Sequence, residues 1–294
     1  MFTKTSWDLW KEECKQLGVV TFCRDLDQAI GSGVPVGMIS EFCGPPGSGK
    51  TQMCLQLCIN AQIPAQLGGL GAKAVYFDTN FGFHPGRLQE IASACVRHCQ
   101  RLVQIHKKEL VAATRDFTID RLMNGVYYRH IHECSEMLEG IETLERLLKS
   151  GEKIKLVVID SISFLIRNNI ENSFERIQVD HVILTKLHVL AQQYKCAVGI
   201  DSLASAQVCF ESFSYHQIVI TNDVTTRING QDSQVIPALG DTHSHKINQR
   251  VILGQSDEDP AGVHIASVEK GLFRTRMAVK FQISQAGIRG VRKK

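Results

Sequence analysis

Gly44, Pro45, Pro46, Gly47, Ser48, Gly49, Lys50 and Thr51 follow one another as G-x-x-x-x-G-K-T. Glycines at these places let backbone N–H groups turn inward around phosphate oxygens. The lysine reaches the β- and γ-phosphates, and the threonine hydroxyl takes a place on Mg²⁺. All eight residues are therefore candidates for nucleotide binding, with Thr51 also a metal ligand. A helix opening at the end of the loop adds the positive end of its dipole.

An acid on a neighbouring strand is required to hold the metal ion through water. Asp160 fits this role. Residues 156–159 are aliphatic, which buries the strand and places the acid at its C-terminal end, where open α/β sheets bind ligands. The same Asp at a strand end could instead cap the following helix.

These groups need a scaffold, and the hydrophobic pattern supplies one. Residues 38–43 read as a short strand before the loop and residues 52–59 as a helix after it. Residues 74–78, 126–132 and 155–160 are further strands. Residues 85–110, 134–150 and 176–195 carry helical periodicity, and residues 117–124 form a short helix. Met137, Leu138, Ile141, Leu144, Leu147 and Leu148 make one stripe. Alternating strands and helices predict a mostly parallel sheet flanked by helices on both faces. Beyond about residue 246, short strands separated by turns predict an antiparallel extension.

The chain has 294 residues, of which 44% are hydrophobic, enough for one large α/β domain or two small ones. No apolar run reaches the roughly 18 residues of a membrane span. The first residues mix acidic and basic types and lack the apolar core of a secretory signal. Ten cysteines then fit a reducing compartment, as buried free thiols. His130 and His132 are expected to be polar strand positions. The net charge is only +3, yet residues 246–294 carry ten Lys/Arg against four acids. Such a tail suits nucleic acid, an acidic partner or nuclear import, and a solvated surface has the same composition.

Several stretches, in order, resemble the RecA-type strand-exchange ATPases, and within them the eukaryotic recombinase paralogues of the "C" type in homologous recombination repair. They are residues 20–27 and 31–37; the P-loop with residues 52–57; residues 62–64; Asp78-Thr79; residues 158–161; Thr221-Asn222 with Thr225-Thr226; and residues 235–240. The likeness spans about residues 5–290. It implies a RecA-like core over residues 19–294 that binds ATP with Mg²⁺ and places ATP between neighbouring protomers, with Lys270 near the neighbour's nucleotide. It also implies single-stranded or branched DNA, other recombinase paralogues and the main recombinase as partners. The implied setting is double-strand break repair and meiosis, in the nucleus with some cytoplasmic protein. Two DNA-facing loops are expected, at about residues 167–175 and 225–246, with Arg167 and Arg227 as DNA contacts. Other readings are an active strand-exchange ATPase forming its own filaments, or a P-loop NTPase unrelated to DNA.

The chain departs from that pattern. Asn80 stands where the family carries a glutamate that activates water; an amide can orient water but cannot take its proton at neutral pH. Asp223 stands where the family carries a glutamine that meets the γ-phosphate, and it places negative charge near the phosphates unless a cation offsets it. Weak hydrolysis is the expectation, with nucleotide serving mainly to hold an interface together. Residues 1–18 read as a helix or linker, so the family's small N-terminal domain is expected to be largely absent or lost from this sequence. Residues 198–217 interrupt a core strand. Joining Ala197 to Ile218 restores an unbroken β-branched run, and codons for Val198 and Gln217 can supply the ends of a spliced intron. A retained intron or a faulty gene model is the expectation.

Overall fold

The computed structural model describes residues 5–8, 18–106, 111–193, 216–229, 232–256, 262–271 and 277–291. Helix α1 (Arg24–Ala29) precedes strand β1 (Ile39–Cys43), and helix α2 (Lys50–Asn60) follows the P-loop. A 3₁₀ turn at Ala65–Leu67 leads into β2 (Lys73–Asp78), then α3 (Pro85–His106), α4 (Val111–Thr114), α5 (Ile119–Asn124) and β3 (Val126–His130). Helix α6 (Cys134–Lys149), β4 (Ile154–Asp160), α7 (Ile162–Asn169), α8 (Ser173–Gln193) and β5 (Gln217–Asn222) complete the alternating part. The remainder is β6 (Val224–Asn229), β7 (Asp232–Pro237), α9 (Gly240–Lys246), β8 (Gln249–Gln255), β9 (Val263–Lys270), β10 (Ala278–Ser284) and β11 (Gly287–Gly290).

One nine-stranded sheet runs in the order β11-β10-β9-β8-β1-β5-β4-β2-β3. Strands β8, β1, β5, β4, β2 and β3 are parallel, whereas β8 through β11 pair antiparallel. This is the expected α/β core with its antiparallel extension. The pleat sends alternate residues to opposite faces. Leu156, Val158 and Val219 join a core with α1, α2 and α3, while Val157, Ile159, Ile218 and Ile220 join one with α6, α7 and α8. Each fully buried aliphatic side chain stabilises the fold by about 2 kcal/mol. On α6 the buried residues Met137, Ile141, Leu144 and Leu148 recur at helical spacing, as the sequence implies. Seven cysteines among the described residues are free, and all but Cys134 are buried. No described helix is long and apolar enough to cross a membrane.

Both segments expected to be loops carry regular structure instead. Residues 167–175 are mostly helical, because α7 continues to Asn169, whose amide donates to the Leu165 carbonyl. Helix α8 then starts at once, with the Asn172 side chain accepting from the Phe174 and Glu175 backbone N–H groups. In residues 225–246, β6 and β7 pair antiparallel from Val224↔Pro237 to Asn229↔Asp232, and α9 follows. β-Branched residues at 224–226, 228, 235 and 236 account for this hairpin. Residues 198–215 lie outside the described residues. β5 begins at Gln217 rather than after it, so His216 and Gln217 fill the buried head of the strand.

Candidate nucleotide-binding site

Buried β1 delivers the chain to the P-loop at the C-terminal edge of the sheet, and α2 carries it away. Gly47 (φ 82°) and Gly49 (φ 98°) adopt left-handed conformations that side chains disfavour. Gly44 has a different reason: a Cβ there would lie 2.4 Å from the Leu253 carbonyl oxygen. The Ser48 hydroxyl is buried with no hydrogen-bond partner among the described residues. Around the loop opens a cleft of about 950 Å³, lined by Lys50, Thr51, Asn80 and Asp160 among others. A cradle of turned glycines, a basic residue and a hydroxyl–carboxylate pair beside an open cleft fit Mg–ATP.

The two residues expected to hold a metal ion, Thr51 and Asp160, meet in the fold. Thr51 Oγ1 donates to Asp160 Oδ2 at 2.6 Å, although the two residues are 109 positions apart. The Tyr76 hydroxyl donates to the same oxygen at 2.7 Å, and Thr221 Oγ1 to the other at 2.5 Å. An ionised carboxylate only accepts, so three hydroxyl donors match it. Burial, then the Asp160 charge, raises the Tyr76 phenol well above its ordinary pKa and keeps it a donor. Thr79 fixes the strand end, donating to the Ser161 carbonyl and accepting from the Ser161 N–H, both at 2.8 Å. Ser161 Oγ caps α7 by accepting from Phe164 N–H. The capping role therefore falls to Ser161, and the Asp160 side chain faces Thr51.

Lys50 turns back onto the loop, donating to the Gly44 and Pro45 carbonyls at 2.6 and 3.2 Å. It also pairs with Asp223 Oδ1 at 3.1 Å. The cation that offsets Asp223 is thus the P-loop lysine itself. Asn80 lines the cleft, and its Oδ1 accepts from Gly82 N–H at 3.0 Å. Phe81 beside it takes φ 58°, rare for a non-glycine residue, and stacks on His130 with ring centroids 3.8 Å apart. His130 and His132 share a face as an edge-on pair. Among the described residues no group of three His, Cys, Asp or Glu is arranged for a metal ion.

Sequence reasoning missed the opposite wall. Gln255 donates to the Gly47 carbonyl at 3.2 Å, and His264, its cross-strand neighbour on β9, hydrogen-bonds the Ser48 backbone. Burial lowers the His264 pKa against the opposing effect of that hydrogen bond. Arg87 donates to Gln52 Oε1 and to the Ser284 and Gln285 carbonyls, tying α3 to β10. Only sheet closure brings these together; no local pattern marks them.

Glu41, on β1 ahead of the loop, anchors a buried charge network. His243 donates from Nε2 to Glu41 and from Nδ1 to Asp180, each at 2.9 Å. With carboxylates on both nitrogens the ring carries a proton on each. Burial would lower the His243 pKa, but the bonds from Asp180 and Glu41 prevail and raise it to about 9. Burial likewise opposes ionisation of Glu41, yet His243 and Arg250 hold it at about 2. Arg250 pairs with Glu41, and Asn222 donates to Glu41 at 2.8 Å. The network joins β1, β5, α8, α9 and β8.

The remaining candidates lie elsewhere. Arg167 lines a separate cleft of about 370 Å³ with Arg176, Thr225, Thr226, Gly240 and Thr242. Arg227 is on β6 opposite Gln234, and its side chain lies outside the described residues. Lys270 is not in the nucleotide cleft of its own chain. It donates to the Ser244 carbonyl at 2.8 Å, and burial followed by the Arg250 charge lowers its pKa.

Comparison with known proteins agrees with this geometry. The Rad51 family model matches residues 13–290. DNA repair protein RAD51 homolog 3 of Cricetulus griseus is 29% identical over 97% of this chain and 72% of its own length. The Dictyostelium discoideum protein of that name is 30% identical over 80% of this chain and 56% of its own length. DNA repair protein RAD51 homolog 2 of Homo sapiens is 32% identical over 82% of this chain and 61% of its own. The chain thus spans little more than half of some of these relatives. With a P-loop, a partnered strand-end aspartate and a RecA-like sheet in one frame, the chain belongs to the Rad51 family.

Proposed function

We propose that this protein is an ATP-binding recombinase-paralogue subunit acting in recombination and DNA repair, in the nucleus. It assembles with other paralogues to assist the main recombinase, and it uses nucleotide more for assembly than for turnover. The observation that carries this reading is the Thr51–Asp160 pair beside the turned glycines, with an amide, Asn80, in place of a catalytic carboxylate. Membership of a family whose matched relatives are DNA repair proteins supports the setting.

Within the site, the loop N–H groups and Lys50 would hold the phosphates, and Thr51 with Asp160 would hold Mg²⁺. Bound Mg²⁺ would supply neutralising charge between the outer phosphates. Asn80 can orient a water molecule but has no basic site for its proton. Tyr76, Thr221 and Thr79 keep Asp160 in place. The face built from α7, α8, the β6–β7 hairpin and α9 would meet single-stranded or branched DNA, with Arg167 and Arg227 on the phosphates. Lys270 would approach the neighbouring subunit's nucleotide.

Co-purification with candidate paralogues, in ATP and without it, tests the reading. Lys50→Ala should weaken ATP binding by about 10- to 100-fold, the range for losing a charge-assisted hydrogen bond, and should reduce assembly with it. Assembly that ignores both ATP and Lys50 would refute nucleotide-dependent subunit contact.

A further inference from the structure

The P-loop amine is already engaged by an anion. Two of its partners, the Gly44 and Pro45 carbonyls, are neutral. The third, Asp223 Oδ1 at 3.1 Å, is a carboxylate competing for the charge that phosphate oxygens need. Asp223 is not a loose surface group. Its Oδ2 accepts from Ser163 Oγ at 3.2 Å, its N–H donates to the same oxygen at 3.0 Å, and its carbonyl accepts from Ala238 N–H at 2.8 Å.

Sheet order says which end of a nucleotide this carboxylate faces. β5 lies between β1 and β4, so Asp223 emerges on the Asp160 side of the loop. Gln255, His264, Ser284 and Gln285 come from β8, β9 and the end of β10, on the other side. Thr51 and Asp160 would hold Mg²⁺ against the outer phosphates, so the terminal phosphate would lie on the side of that acid. That is also the side of Asp223.

We propose that Asp223 sets the nucleotide selectivity of this site: it competes with a terminal phosphate for Lys50 and lowers affinity for a nucleoside triphosphate more than for a diphosphate. The inference rests on the nucleotide reading of the P-loop. Because the Asp223 carbonyl closes the root of the β6–β7 hairpin, displacement of its carboxylate occurs where that hairpin leaves the sheet.

Equilibrium binding of fluorescent N-methylanthraniloyl ATP and ADP, with Mg²⁺, tests it on the full chain. Asp223→Asn removes the charge and keeps the shape, and Asp223→Gln is the second variant; thermal melts check that both fold. Each should tighten the triphosphate by about tenfold or more and the diphosphate by about threefold or less, since repulsion falls with distance. The difference should narrow at about 0.5 M salt, where this partly exposed pair is screened. Equal changes for both nucleotides, or a weakened triphosphate, would overturn the selectivity role. If neither nucleotide binds to wild type or variants, and Lys50→Ala behaves like wild type, the nucleotide reading itself fails and the inference with it.

Discussion

At the scale of single residues, the proposed nucleotide site has the turned glycines, lysine and hydroxyl–carboxylate pair of a P-loop, with an amide where a catalytic carboxylate is expected. Asp160 takes hydrogen bonds from three hydroxyls, which fix the carboxylate proposed to hold the metal ion. Asn80 shares the cleft but cannot accept a proton. Restoring a carboxylate there gives a direct test. Asn80→Glu should raise the ATP turnover number by about 100-fold, the lower range for a positioned general base, with little change in ATP affinity. Steady-state phosphate release would measure it. An unchanged rate would place the defect in another residue, Asp223 being the next to vary.

At the scale of elements, the His243 network locks α9 and α8 to β1 and β8. His243→Ala should destabilise the protein by about 3 kcal/mol, because Asp180 and Glu41 lose a buried cationic partner; denaturant titration reads this. The pH dependence has a definite sign. The folded pKa of about 9 exceeds the ordinary 6.5, so the stabilisation is complete below about 6.5 and is lost as pH rises through about 9. His216 acts in the opposite sense: burial lowers it to about 4 from 6.5, so stability falls as pH drops between those values. That cost belongs to the head of β5, where His216 Nδ1 is buried with no hydrogen-bond partner among the described residues. Deleting residues 198–217, so that Cys196 and Ala197 precede Ile218, replaces His216 and Gln217 with apolar residues. The deletion should raise the melting temperature and remove the acid-side loss between about 6.5 and 4. A lower melting temperature, or a dominant transcript encoding all of residues 198–217, would mean that the segment is native to the protein.

At the scale of the whole molecule, the sheet places two working edges together. The C-terminal edge carries the P-loop, Asp160 and Asp223, and the hairpin that starts at Val224 leads directly to the face bearing Arg167 and Arg176. A DNA-binding role for that face predicts a particular salt response. Arg167→Ala and Arg227→Ala should each weaken single-stranded DNA binding regardless of sequence. Each should also reduce the slope of log affinity against log salt by about 0.7, the share of one phosphate contact. Fluorescence anisotropy across a salt series would show it, and an unchanged slope would remove that arginine from the interface.

The sequence by itself determined the P-loop, the acid at the end of β4, the alternating core and the antiparallel extension. Those follow from local spacing and period, which residues 44–51 and 156–160 carry within a few positions. It also marked Asn80 and Asp223 as departures, because each falls in a short ordered string of motifs. It did not reveal that β6 and β7 form a hairpin or that residues 170–172 are all that separates α7 from α8, since the β-branched residues at the hairpin's two ends flank a polar run that suits a loop equally well. Only the tertiary structure decided which residues face one another across the sheet. Thr51 meets Asp160, Lys50 meets Asp223, and His243 meets Glu41 from 202 residues away. Such pairs are made by strand order, with β5 inserted between β1 and β4, and strand order is set by how the helices cover both faces rather than by any local run of residues.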